Sequence, residues 1–185
     1  MSVQFHSHGL RSLWVQTPPN TPREVARNLI RRVTLQNLQD LTQGSGPVAI
    51  ASSRGHSPTL TQGGHVTRHS MSFAHERGLS AAAVSDTGTV GIDVARVCII
   101  PDALDIARDY LEPQALRLLA DMPSGAVPEA FALAWTLHEA RLKCLGKSLR
   151  EWDEELHSEL VGATERSLTL PPGYVGWVVH RQLIS

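Results

Sequence analysis

The stretch 131–145, FALAWTLHEARLKCL, constrains the fold more than any other part of the chain. No glycine or proline interrupts it, and its Ala, Leu, Glu, Arg and Lys all favour helix. On a wheel advancing about 100° per residue, Phe131, Trp135 and Leu142 share one apolar arc. Leu133, Leu137, Ala140 and Cys144 share a second. Glu139, Lys143 and Thr136 fill a narrow polar stripe between them. A helix that is apolar on two sides has to be covered on two sides, so the chain must build layers around it and leave a crevice along the stripe. Taken alone, a Glu–Lys pair four residues apart has two readings. It is a solvated ion pair worth about 0.2–0.5 kcal/mol, or it is a site, with a carboxylate for a metal or proton and an ammonium for a phosphate.

A second carboxylate converging on the stripe would favour the site, and Asp93 is the candidate. The run TVGIDVARVCII is otherwise apolar, and a carboxylate inside such a strand is costly unless it is paired or bound to metal. The bland alternative is an end-of-strand aspartate capping a turn. Gly91, two residues earlier, permits the close approach of another backbone or a ligand.

Around these two segments the pattern is mixed. Thr21-Pro22-Arg23-Glu24 has the form of a capping box, and apolar residues then recur at helical spacing to Leu41, with Gly44 and Gly46 ending the helix. PVAIAS (47–52), HSMSFAH (69–75), LSAAAVS (79–85) and TVGIDV (89–94) read as strands, the last two joined by the hairpin turn Asp86-Thr87-Gly88. Helices are expected over 102–110, 113–121 and 129–146. The first 20 residues are expected to be irregular, 53–65 a Gly/Pro/Ser loop, the tail 149–185 irregular chain and edge strands, and the acidic run at 151–155 a solvated loop or helix face.

Length and composition agree with a folded, non-membrane protein. The chain has 185 residues, 42% hydrophobic and 19% charged, with a net charge of −1, which gives no electrostatic case for nucleic acid. No apolar run approaches the ~18 residues of a membrane span. MSVQFHSHGLRS has neither the positive head nor the apolar run of a secretory signal. The expectation is a cytoplasmic protein with Cys98 and Cys144 both reduced and buried. His65, His69 and His75 fit no zinc spacing.

VGID, followed 46 residues after its aspartate by WTLHEARLK, resembles the paired signature of the 4′-phosphopantetheinyl transferases, the surfactin-synthetase-activating type in particular. SFAHERGLSAAAVS, PREVARNLIRRVTLQNL, RGHSP, KCLGKSL and PPGYVGWVVH are similar to further segments of that family. The resemblance runs from about residue 21 to 182. It implies an α+β fold of two similar halves in one chain, 1–100 and 101–185, each an antiparallel sheet packed on a long helix. It implies transfer of the 4′-phosphopantetheine arm of coenzyme A to a serine of an apo-acyl or peptidyl carrier protein, with Mg²⁺, releasing 3′,5′-ADP. It also implies a monomer.

By the same resemblance Asp93 and Glu139 are metal ligands, Glu139 is the base for the carrier serine, and Lys143 binds phosphate. His75, Arg27, Arg54 and His56 match positions on the coenzyme A side. The chain departs from the family at Ala95, where many members carry a third metal carboxylate. It departs at Ala74, where a serine usually precedes the histidine, and at His138, usually lysine. The other reading of the helix wheel makes His138 a core histidine. These departures define the alternative, a relative that binds coenzyme A or a carrier protein without transfer.

Overall fold

The computed structural model describes residues 2–5, 9–38, 46–52 and 57–183. In chain order the elements are β1 (Ser2–Phe5), β2 (Leu10–Gln16), α1 (Arg23–Leu38), β3 (Val48–Ala51), β4 (Thr59–Gln62), β5 (His65–Glu76), β6 (Leu79–Ser85) and β7 (Gly88–Arg96). Then follow α2 (Ala103–Tyr110), α3 (Pro113–Ala120), α4 (Val127–Cys144), α5 (Glu154–Glu159), β8 (Thr164–Ser167) and β9 (Tyr174–Gln182). The fold is α+β, as expected. One antiparallel sheet has the order β1-β2-β6-β5-β4-β3 and a second the order β7-β9-β8.

The layers follow from which side chains can be covered. In β6 every residue is buried. Ala82 packs with Ile30 and Val33 of α1, while Ala81 and Ala83 pack with Val90, Ile92 and Val178 of the second sheet. Both faces are covered at close range, which explains a strand built of alanines. The outer face of the second sheet takes α4 through Ala140, Cys144 and Val179. The Phe131 and Trp135 arc of α4 is roofed by α2 and α3. The order of layers is therefore α1, first sheet, second sheet, α4. Two long-range hydrogen bonds fasten the sheets at their ends: Trp14 Nε1 to Thr169 O at 3.0 Å and Tyr174 Oη to Arg77 O at 2.8 Å.

Several expectations need correcting. The first 20 residues hold β1 and β2. The latter shows no simple alternation because Leu13 and Val15 face α1 while Leu10 joins the core against the second sheet. The expected loop 53–65 contains β4. Pro128 lies in the first turn of α4, where a missing N–H costs nothing. The tail contains α5, capped by the Asp153 side chain, and β9, which is the central strand of its sheet and not an edge. Cys98 is exposed; only Cys144 is buried, and both are free. The end of the first helix at Gly44 lies outside the described residues. The division at residue 100 falls in the link after β7, and β7 pairs with β9 along its whole length, from Gly88↔Gln182 to Arg96↔Tyr174. No helix among the described residues is long and apolar enough to cross a membrane.

Gly91 sets the distance between the second sheet and α4. A Cβ on this residue would stand 1.9 Å from Ala140 O and 2.4 Å from Cys144 N. What approaches Gly91 is thus a backbone, that of α4. Both obstructing atoms belong to the main chain of a buried helix turn, so relief requires α4 to move. Overpacking of this kind costs about 1–3 kcal/mol and occasionally more. Gly91→Ala is predicted to lose at least about 2 kcal/mol in chemical denaturation; a near-neutral result would show that α4 does not sit this close.

Candidate functional site

The close contact at Gly91 brings the polar stripe of α4 over β7. Gly91, Asp93 and Ala95 alternate onto the face of β7 that α4 covers, while Val90, Ile92 and Val94 lie in the core. Lys143 reaches across and donates from Nζ to Asp93 Oδ1 at 2.6 Å, to Ile92 O at 3.2 Å and to Phe73 O at 3.5 Å. Glu139, one turn earlier and half-buried, adds its negative charge to the field at Asp93. Of the three groups read from the sequence, Asp93 and Lys143 pair directly, and Glu139 stands near enough for its charge to act on Asp93. Thr136, the third member of the stripe, does not join them: it is buried and donates to Ala132 O at 2.8 Å within its own helix.

This cluster stands at one wall of a cleft of about 610 Å³ between α1, β5 and the end of α4. Arg23, Arg27 and Arg31 line it from α1, four residues apart and so on one helix face. Lys143 and Lys147 line it from the other side. Among the described residues lining the cleft, Asp93 is the one carboxylate against these five cations. Three of the cations are already held: Lys143 pairs with Asp93, Arg31 donates to Ser52 Oγ at 2.9 Å and Lys147 pairs with Glu159. His75 lines the cleft and a neighbouring hollow of about 310 Å³ that it shares with Arg23, Arg77 and Gly78.

The field of the cleft follows from burial first and charge second. Burial pushes the Asp93 carboxyl up to about 6; Lys143 opposes this and Glu139 adds to it. Burial also pushes His75 down to about 4, with Arg27, Arg23, Lys143 and Arg31 all disfavouring its cationic form. His75 is therefore neutral at pH 7, its Nδ1 3.1 Å from Ser80 Oγ. A neutral donor surrounded by guanidinium groups suits a multiply charged anion.

The remaining residues singled out from the sequence divide as follows. His138 is buried, and its Nε2 donates to Arg150 O at 2.8 Å, so it is a core histidine tying α4 to the segment after it. Burial holds its pKa below the usual value. Arg27 is exposed on the cleft wall. Arg54 and His56 lie outside the described residues. Arg23, Arg31 and Lys147 were not expected at the site. The arginine spacing of four in REVARNLIR is the signal that marks the first two, and the lysine of KCLGKSL marks the third.

A cleft lined by five cations, with Asp93 at its wall and Glu139 acting on it from nearby, suits a phosphate-bearing ligand. Residues 89–171 match the pattern of the 4′-phosphopantetheinyl transferase superfamily. The matched segment begins in β7 and contains Asp93, Glu139 and Lys143. A relative with this description is the 4′-phosphopantetheinyl transferase HetI of Nostoc sp. (strain PCC 7120 / SAG 25.82 / UTEX 2576), 28% identical over 84 residues. The aligned region covers 45% of this chain and 35% of the length of that protein.

The two shifted groups give a pH test. Asp93 has a folded pKa above its ordinary value of 3.8. Its contribution to stability is therefore full below about pH 4 and is lost as pH rises through about 6. His75 behaves oppositely to a paired histidine: its folded pKa is below 6.5, so its neutral burial costs stability below that value and the cost is complete near pH 4. NMR titration should place the Asp93 carboxyl near 6 and the His75 ring near 4. An Asp93 carboxyl titrating at 4 or lower would contradict the buried placement.

Proposed function

We propose that the protein transfers the 4′-phosphopantetheine arm of coenzyme A to a serine hydroxyl of an apo-carrier protein, releasing 3′,5′-ADP. The observation that carries this reading is the ion pair of Asp93 and Lys143 at the wall of a cationic cleft, with Glu139 close enough for its charge to act on Asp93, inside the stretch that matches the superfamily. The chemistry is phosphoryl transfer, which depends on positioning and on neutralising charge. Arg23 and Arg27 face the nucleotide end of coenzyme A and hold its phosphates by charge-assisted hydrogen bonds. His75, neutral and fixed by Ser80, donates to the same end. Lys143 turns part of its hydrogen bonding from Asp93 to a pyrophosphate oxygen. Glu139 accepts the proton of the carrier serine as the hydroxyl attacks.

The residues present fit Mg²⁺. The charge of Glu139 disfavours ionisation of Asp93, a cost that a divalent cation would relieve, and Mg²⁺ takes one or two carboxylates with phosphate oxygens and water. Among the described residues no group of three or more His, Cys, Asp or Glu gathers to hold a metal; in this reading the ligand's phosphates and water would supply the remaining oxygens. The cation would neutralise charge developing on the pyrophosphate. The protein acts in this reading as a cytoplasmic monomer of two halves, residues 1–100 and 101–185.

A second reading is binding without transfer. It is favoured by Ala95 and Ala74, where family members carry a carboxylate and a hydroxyl, and by the ion pair that joins Lys143 to Asp93. One experiment separates the two. Incubation with coenzyme A, Mg²⁺ and several apo-carrier proteins should add one phosphopantetheinyl group to a carrier, seen by mass spectrometry. Asp93→Ala and Glu139→Ala should each lower that rate by about 10²–10⁴-fold while the far-ultraviolet circular dichroism stays unchanged. Coenzyme A binding with no mass gain on any carrier would favour the second reading. Ala95→Glu places a carboxylate on the Asp93 face and should lower the Mg²⁺ concentration for half-maximal transfer.

A further inference from the structure

β7 is hydrogen-bonded to β9 on one side, and its other edge belongs to neither sheet's ladder. Side chains satisfy that edge. Val90 N–H donates to Ser70 Oγ at 3.2 Å and Ile92 N–H to Ser72 Oγ at 3.1 Å. Both serines stand on β5, two residues apart, and their partners on β7 are two residues apart, so a pair of hydroxyls does the work of a backbone ladder between the sheets. The series continues to Ala74, which packs with Val94 in the same core and has no hydroxyl. Val94 N–H instead bonds to the Asp93 carboxylate.

Ser72 has a position that Ser70 lacks. It precedes Phe73, whose carbonyl accepts from Lys143, and its partner Ile92 carries the other carbonyl that accepts from Lys143. Ile92 in turn precedes Asp93. Ser72, the Ile92 peptide, Lys143 and Phe73 O thus close a ring through β5, β7 and α4. The ammonium reaches acceptors on two strands of different sheets only while those strands keep their register, and the 3.1 Å bond at Ser72 is the bond inside the ring. Ser72 is only 5% exposed, so a lost acceptor there leaves the Ile92 N–H with no water to turn to.

We infer that Ser72 is a positioning residue: its hydroxyl fixes β5 against β7 and so seats Lys143 on Asp93. This goes beyond the transferase reading and is measured in the ligand-free protein, so its outcome does not depend on that reading. The probes are the hydrogen exchange of the Ile92 and Val90 amides and the ¹⁵N signal of the Lys143 ammonium, which is visible when hydrogen bonds slow its exchange. Ser72→Ala should speed Ile92 exchange by at least about tenfold and abolish the Lys143 signal. Ser72→Thr, which keeps the hydroxyl, should restore both. Ser70→Ala should speed Val90 exchange and leave the Lys143 signal in place. If Ser72→Ala does not fold, Ser72→Cys keeps the volume with a weak acceptor and should give the same losses. An unchanged Lys143 signal in Ser72→Ala or Ser72→Cys would overturn the inference, and so would equal loss of that signal in Ser70→Ala.

Discussion

At Gly91 the backbone of α4 approaches β7 so closely that no side chain fits between them, and much else depends on that contact. A helix held farther out would leave Lys143 unable to reach Ile92 O and Asp93 together. It would also leave Asp93 in water, where its carboxyl would titrate in the ordinary range. The glycine thus links packing to electrostatics: one missing Cβ allows the burial that pushes Asp93 up to about 6 and presents an ammonium beside it.

The opposite wall is built differently. There, α1 offers three arginines on one face above a sheet edge that β4 leaves uncovered, since β4 pairs with β5 only as far as Ser70. The resulting cleft has a graded character. At the α1 end lie guanidinium groups and a neutral histidine, suited to a phosphate-rich nucleotide. At the α4 end lie Asp93, Lys143 and Lys147, with the charge of Glu139 acting on Asp93 from beside the cleft, an arrangement suited to a cation. A ligand with phosphates along its length would span both walls and would replace the repulsion among the arginines with charge-assisted bonds.

Much of this was legible in the sequence where one element carries its own pattern. The α4 wheel displayed two apolar arcs and a polar stripe, and both arcs are covered. Asp93 stood out by its cost within an apolar strand, and Glu139 and Lys143 by their spacing, but only the resemblance to the transferases chose a site over a capping aspartate and a surface ion pair. What escaped was set by neighbours. β2 hides its strand character because both its faces are covered. β9 reads as a terminal apolar run, and only its pairing with β7 makes it a central strand. Cys98, flanked by Val97 and Ile99, reads as core, yet it and the 82% exposed Ile99 stand on the surface where the chain leaves β7. The serines of β5 look like ordinary polar residues until β7 is laid beside them.

The central claim is that the cleft between α1 and α4 is where coenzyme A binds, with its phosphates between the arginines and the Asp93 cluster. The most direct measurement is a titration of the isotope-labelled protein with coenzyme A, followed by backbone and side-chain NMR. The account predicts that perturbations concentrate on Arg23, Arg27, His75, Asp93 and Lys143, with the Lys143 ammonium shifting as it exchanges Asp93 for phosphate. Perturbations confined to the separate apolar groove of Cys98, Val127 and Phe131, or none at millimolar ligand, would contradict it.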